Sequence, residues 1–196
     1  MNGVLDLRTL AGDRPVHFMG VGGAGMYPLA ELFLRSGGLV SGCDAKEHAA
    51  RHVLDAAAVV ATAAVPADHP ELVAAREAGL PVLKRAEALG AWVARGTVVG
   101  IAGTHGKTTT TAMTTEILAS GDSDPTGLVG GHVSAWGGNL RFGSNDLFVV
   151  EADEYDRSFL MLSPDVAVVT NMEADHLDIY GDLDGVRRGF LDFLAG

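Results

Sequence analysis

Short runs of small and β-branched residues alternate along this chain with stretches whose apolar positions recur every three or four residues. "VHFM" reads as a short buried strand, "GVGGAG" as a glycine turn and "MYPLAELFLRSG" as a helix ending near Gly37 and Gly38. "LVSGCD" reads as a second strand closing on Asp44, "KEHAARHVLD" as a helix and "AAAVVATAAVP" as a strand. "HPELVAAREAGL" follows as a helix stopped by Gly79, and "PVLKRAEALGAWVARG" as a short strand and helix. A second series begins at Thr97: the strand leading into "GIAGTHGKTTTTAMTTEIL", strands in "DLFVVEAD" and "VAVVTNMEADH", and a closing helix "DGVRRGFLDFLAG". In the helix after the second glycine turn, Ala112, Met113, Ile117 and Leu118 are expected roughly on one face. Alternating strands and helices predict an α/β fold with parallel sheets and ligands at the carboxyl ends of the strands. Gly96 is the expected boundary, giving domains 1–95 and 96–196.

The two glycine turns carry the candidate chemistry. Gly20-x-Gly22-x-x-Gly25 lies between a strand and a helix, where glycines let the backbone approach a diphosphate, and Asp44 stands where an acid could meet a ribose. That pattern alone leaves NAD and a nucleotide sugar equally open, and also a tight turn with no ligand. The second turn departs from the usual phosphate loop, since Ile101 occupies the place of the first glycine. The mechanics of Gly103-Thr104-His105-Gly106-Lys107-Thr108 survive: backbone N–H groups at a helix start, a lysine for terminal phosphates and a hydroxyl for Mg²⁺. Two acidic clusters end the later strands: Glu151, Asp153, Glu154 and Asp156, then Asn171, Glu173, Asp175, His176 and Asp178. Beside a phosphate loop they point to metal and phosphate chemistry. His17, His48, His52, His69 and His132 show no ligand spacing, so surface or core roles are expected for most of them, and Cys43 and Ser158 lack the partners of a nucleophile.

Charge narrows the partners. With 14 basic and 25 acidic residues the net charge is −11, which disfavours binding to nucleic acid or an anionic membrane. The single cysteine excludes an internal disulfide. No segment has the ~20 apolar residues of a membrane helix or the pattern of a signal peptide, so a cytoplasmic location is expected.

Together "HFMGVGGAGM", "SGCD", "AGTHGKTTTT", "EADEYDRSFL" and "TNMEADHLDIYGD" resemble, in order, the motifs of the Mur ligases, ATP-dependent enzymes of peptidoglycan synthesis. Within that family the likeness is to the branch that adds L-alanine to UDP-N-acetylmuramate. The branch that adds murein tripeptide is the alternative, and a nucleotide-binding fragment without ligase activity is another. The resemblance implies a Rossmann-like N-terminal domain, then a P-loop-type ATP-binding domain that is here incomplete. It implies that Gly20, Gly22, Gly23, Ala24, Gly25, Met26 and Asp44 bind the UDP-sugar. ATP would lie on Gly103, Thr104, His105, Gly106, Lys107, Thr108 and Thr109, with a first Mg²⁺ at Thr108 and Glu151 and a second at His176. Lys107, Glu151 and His176 would be the catalytic residues, and the reaction would pass through an acyl phosphate of the muramoyl carboxylate. These 196 residues alone are not expected to complete ligation at a useful rate, and their oligomeric state is open.

Overall fold

The computed structural model describes residues 6–44, 50–62 and 64–196. They form two compact units, Met1–Trp92 and Val93–Gly196, each with its own sheet. The chain is an α/β protein, as its alternating pattern predicts. No helix among the described residues is long and apolar enough to cross a membrane.

The first unit opens with a helix that the apolar pattern does not announce, α1 (Leu7–Asp13), capped by Asp6, which accepts from the Thr9 amide at 3.2 Å. Its sheet contains β1 (Val16–Met19), β2 (Val40–Cys43), β3 (Ala58–Ala61) and β4 (Val82–Lys84), all parallel, in the order β2-β1-β3-β4. The chain turns to one side after β1 and crosses to the other after β2. This leaves a switch point at the carboxyl end of β1, where open α/β sheets bind ligands. Helix α2 (Met26–Arg35) buries Met26, Leu29, Ala30, Leu32 and Phe33. Phe33 stacks on Trp92 of α4 (Arg85–Val93) and meets Phe18 of β1 edge-on, with centroids 3.7 and 5.2 Å apart. Each such ring burial contributes about 1.5–3 kcal/mol. Helix α3 (Pro70–Glu77) begins at His69, whose Nδ1 accepts from the Glu71 amide at 3.3 Å. Of the helix expected over "KEHAARHVLD", residues 46–49 lie outside the described residues, and Ala50–Val53 forms only a 3-10 turn.

The second unit holds β5 (Thr97–Ala102), β6 (Thr126–Val133), β7 (Gly138–Arg141), β8 (Leu147–Glu151) and β9 (Val166–Val169), ordered β7-β6-β8-β5-β9. β7 is the one strand of this sheet that runs antiparallel, at its edge. The helix after the second turn is α5 (Lys107–Ser120), and the face that carries Met113 and Ile117 is not the one it buries. Thr111 and Thr115 are buried, whereas Met113 and Ile117 are 59% and 66% exposed. Thr115 Oγ1 donates to the Thr111 carbonyl at 2.7 Å, which satisfies its hydroxyl inside the helix. Short α6 (Leu177–Tyr180) precedes α7 (Leu183–Ala195), capped by Asp182, whose Oδ1 accepts from Gly185 at 2.7 Å. Phe190 and Phe193 of α7 clasp Phe159 at centroid distances of 5.4 and 5.2 Å. That packing fixes the segment directly after Glu154.

Candidate functional sites

β5 delivers its chain into the second glycine turn, and the carboxyl ends of β8 and β9 surround it. Gly103 has φ 135°, and a Cβ there would meet Thr170 Oγ1 and the Asn171 backbone. Asn171 holds the turn at two points, accepting from the His105 amide through Oδ1 and donating to the His105 carbonyl through Nδ2, each at 2.9 Å. Thr170 Oγ1 donates to the same carbonyl at 2.7 Å, and the Glu173 amide donates to Thr104 Oγ1 at 2.9 Å. Gly106, with φ 80°, caps α5 without a side chain, so the helix start and its positive dipole end stay open to an anion.

Two polar pairs stand at this opening. Thr108 Oγ1 donates to Glu151 Oε2 at 2.8 Å, and the Gly130 amide donates to the same oxygen at 2.8 Å. A hydroxyl and a carboxylate oxygen converging beside an anion-binding helix start suit Mg²⁺, which takes oxygen ligands from few protein groups. In the second pair, Lys107 Nζ lies 2.9 and 2.7 Å from the two carboxylate oxygens of Glu154 and donates to the Gly103 carbonyl at 2.6 Å. His176 joins this pair, with Nε2 at 3.9 Å from Glu154 Oε1, in a left-handed conformation at φ 51°. Tyr180 donates to the Glu154 carbonyl at 2.7 Å, and burial pushes its hydroxyl up to about 12, so it stays a donor at neutral pH. Asp156 and Arg157, at φ 52° and 55°, hold the strained turn that follows. His105 and Thr109 face solvent.

The predicted residues Lys107, Thr108 and Glu151 are therefore brought together, and His176 is tied to the lysine through Glu154. Sequence reasoning quoted Glu154 and Asn171 as members of acidic clusters but assigned them no role. The signal for Glu154 is its place three residues after Glu151, past the end of β8; for Asn171 only the fold shows it.

In the first unit the glycine loop rises from β1. The Gly20 and Val21 amides donate to the Cys43 carbonyl at 2.9 and 3.1 Å, and the Gly22 amide to Asp44 Oδ2 at 2.8 Å. A Cβ on Gly22 would stand 2.6 Å from that oxygen, so any larger residue would push the Asp44 carboxylate off the loop. Asp44 thus braces the loop that it was expected to complement. Gly23 accepts from Met26 and Tyr27 at 3.0 and 2.9 Å, which starts α2. Among the described residues the amides of Ala24 and Gly25 have no partner. A cavity of about 320 Å³ opens beside the loop, lined in part by Gly20, Cys43, Asp44, Thr62 and Pro66. Arg85, at the start of α4, lies over the loop, its Cδ and Nε 3.3 and 3.4 Å from where a Cβ on Gly25 would be. No sequence pattern singled it out.

Comparison with known proteins agrees with this two-part layout. Residues 15–97 match the model described as "Mur ligase family, catalytic domain", and residues 101–196 match the "Mur ligase middle domain". The UDP-N-acetylmuramate–L-alanine ligase of Caulobacter vibrioides is 46% identical over 197 residues, covering 92% of this chain and 42% of that protein. The enzyme of the same name from Paenarthrobacter aurescens is 48% identical, covering 92% and 43%. The crystal structure of a UDP-N-acetylmuramate–alanine ligase from Thermotoga maritima matches with TM-score 0.80 and 31% identity, over 92% of this chain and 46% of that one. A UDP-N-acetylmuramate:L-alanyl-γ-D-glutamyl-meso-diaminopimelate ligase from Neisseria matches with TM-score 0.79 and 29% identity, over 93% and 68%. The chain spans less than half the length of these curated relatives. It belongs to the Mur ligase family.

Proposed function

We propose that residues 96–196 bind ATP with Mg²⁺ and residues 1–95 bind UDP-N-acetylmuramate, for the ATP-dependent addition of L-alanine in the cytoplasm. The observation that carries this reading is the Thr108–Glu151 pair beside Lys107 at the open start of a 14-residue helix. Backbone N–H groups of Gly106 to Thr109 would cradle phosphate, and Lys107 would turn from Glu154 to the terminal phosphates. Thr108 and Glu151 would hold Mg²⁺, which supplies neutralisation of phosphate charge when bound. His176 would hold a second Mg²⁺, from its place beside the Lys107–Glu154 pair.

In the first unit, the amides of Ala24 and Gly25, which have no partner among the described residues, and the Arg85 guanidinium would take the diphosphate, with the neighbouring cavity for the nucleoside. L-alanine as the added group is supported by the names of the relatives at 46–48% identity. Calorimetry of the chain with Mg-ATP, UDP-N-acetylmuramate and NADH tests the reading. Binding of the first two and silence with NADH is expected; NADH binding without a UDP-sugar response would overturn it. Comparing L-alanine with the tripeptide as acceptor, in the protein carrying its full natural length, decides the branch.

A further inference from the structure

Three buried side chains without any motif spacing meet in the core of the first unit, and a fourth, the partly exposed His52, reaches them from its edge. His17 comes from β1, Cys43 from β2, His52 from the 3-10 turn and Glu71 from the first turn of α3. Cys43 Sγ donates to Glu71 Oε2 at 2.9 Å. His17 Nε2 stands 3.7 Å from the same oxygen, and His52 Nδ1 3.3 Å from Glu71 Oε1. His17, Cys43 and Glu71 are 1%, 6% and 0% exposed. Their ligating atoms lie within 4.8 Å of one another.

The arrangement is costly as it stands. A carboxylate removed from water needs a compensating charge, and among the described residues no lysine or arginine lies within ion-pair reach of Glu71. Among the described residues His17 Nε2 and Glu71 Oε1 are buried with no hydrogen-bond partner, which native interiors rarely tolerate. His17 Nδ1 is already engaged, 2.9 Å from Ser41 Oγ. Donation of Nδ1–H to that hydroxyl leaves the Nε2 lone pair facing Glu71 and Cys43.

We propose that His17, Cys43 and Glu71, with His52 as fourth ligand, form a binding site for Zn²⁺ or a similar borderline divalent cation. Two imidazole nitrogens, one sulfur and one carboxylate oxygen are a zinc donor set, and a poor one for Mg²⁺. Bonds of about 2.0–2.3 Å in a tetrahedron place ligand atoms roughly 3.3–3.8 Å apart. Cys43 Sγ and His17 Nε2 already stand 2.9 and 3.7 Å from the one oxygen Glu71 Oε2, the three ligating atoms lie within 4.8 Å of one another, and His52 Nδ1 waits beside the other carboxylate oxygen at 3.3 Å, where a turn of its partly exposed ring would bring it to the cation. Charge balances as well: the cation displaces the thiol proton to solvent, and thiolate and carboxylate together neutralise the two positive charges. Ser41 would hold the His17 ring in register. The site would pin β1, β2 and α3 together directly under the glycine loop, because the Cys43 carbonyl also receives the Gly20 and Val21 amides. The inference is independent of which nucleotide that loop binds.

Cobalt gives a direct test, because Cys43 is the only cysteine in the chain. The chelator-stripped protein is titrated with Co²⁺ and followed for a thiolate-to-cobalt charge-transfer band and tetrahedral d–d bands. One equivalent is expected to saturate both, and Zn²⁺ to displace it. His52→Ala should keep the charge-transfer band but weaken cobalt binding at least tenfold, and Glu71→Gln should weaken it similarly. Cys43→Ala should lose the band; if that variant does not fold, the parent titration and Glu71→Gln still decide. Absence of the charge-transfer band in the parent, or cobalt affinity unaltered in both Glu71→Gln and His17→Ala, overturns the proposal and leaves a metal-free buried network.

Discussion

Glu154 grips the Lys107 ammonium with both carboxylate oxygens, at 2.9 and 2.7 Å, at the mouth of the phosphate turn. Both side chains are largely removed from water, at 15% and 4% exposure, so this is a strong charge-assisted contact and not a surface pair. A nucleotide that uses Lys107 must displace Glu154 or share the lysine with it. Glu154 therefore restrains the lysine and lowers the positive potential of the turn.

Glu154→Gln should accordingly tighten ATP binding, by up to about tenfold, since a neutral amide competes less for the ammonium than a carboxylate does. The Tyr180 bond goes to the Glu154 backbone carbonyl, so the segment keeps its anchor in the variant. Calorimetric titration at fixed Mg²⁺ checks it. Weaker ATP binding in Glu154→Gln would mean that the carboxylate positions the lysine for phosphate and does not restrain it.

Thr108→Val keeps the shape of the side chain and deletes the hydroxyl that donates to Glu151 at 2.8 Å. Glu151 retains its bond from the Gly130 amide, so its orientation should survive. The expected loss is about 1–3 kcal/mol in ATP affinity with Mg²⁺ present, and much less when EDTA is present. Equal losses under both conditions would remove Thr108 from the metal site.

The second glycine turn was legible because its chemistry is local: strand, glycines, lysine and hydroxyl lie within one short segment. Glu151 was legible for the same reason, as an acid at the end of an apolar run. What escaped depends on contacts distant in sequence. "GLVGGHV" carries no strand pattern that marked it as an element, yet it forms β6, because Gly127 lies under α5, where a Cβ would stand 2.8 Å from Thr115 and Trp136. The same packing explains why α5 turns threonines inward: small side chains suit a helix pressed onto a glycine strand. Met113 and Ile117 carry the apolar signal on the face turned away. Asn171 and the meeting of His17 with Glu71 are invisible for a related reason, since 66 and 54 residues separate partners that only sheet order brings together.

Gly103→Ala should destabilise the second unit and abolish tight ATP binding. At φ 135° any side chain is strained, and here its Cβ would also meet Asn171 N and O at 3.1 and 3.0 Å, backbone atoms that cannot swing aside. The strain alone costs about 1–3 kcal/mol, and for a unit of ~100 residues each 1 kcal/mol lowers the melting midpoint by about 4–8 °C. Gly137→Ala is the control, since φ is 68° there and nothing lies within 4 Å. Its loss should come from backbone strain only and leave ATP binding intact. If the two variants melt alike and both bind ATP, the close packing of the turn against Asn171 has been given too much weight.

Arg85 provides the sharpest test of the first unit, because it is a cation close to a loop that offers backbone amides. Its side chain runs past Gly25, 3.3–3.4 Å from the Cβ position there, beside amides that lack partners among the described residues. A diphosphate on the loop would gain a charge-assisted contact from the guanidinium, worth about 1.5–3 kcal/mol. Arg85→Ala should therefore weaken UDP-N-acetylmuramate binding by roughly ten- to a hundredfold and reduce its sensitivity to salt, as expected when one phosphate contact is lost. Arg85→Lys should recover part of the affinity, because a point charge can replace the attraction but not the planar fork. ATP affinity at the second turn should be the same in all three proteins. Unchanged UDP-sugar affinity in Arg85→Ala would place the diphosphate away from α4, and an equal loss of ATP binding would mark the variant as misfolded and not as a ligand-contact mutant.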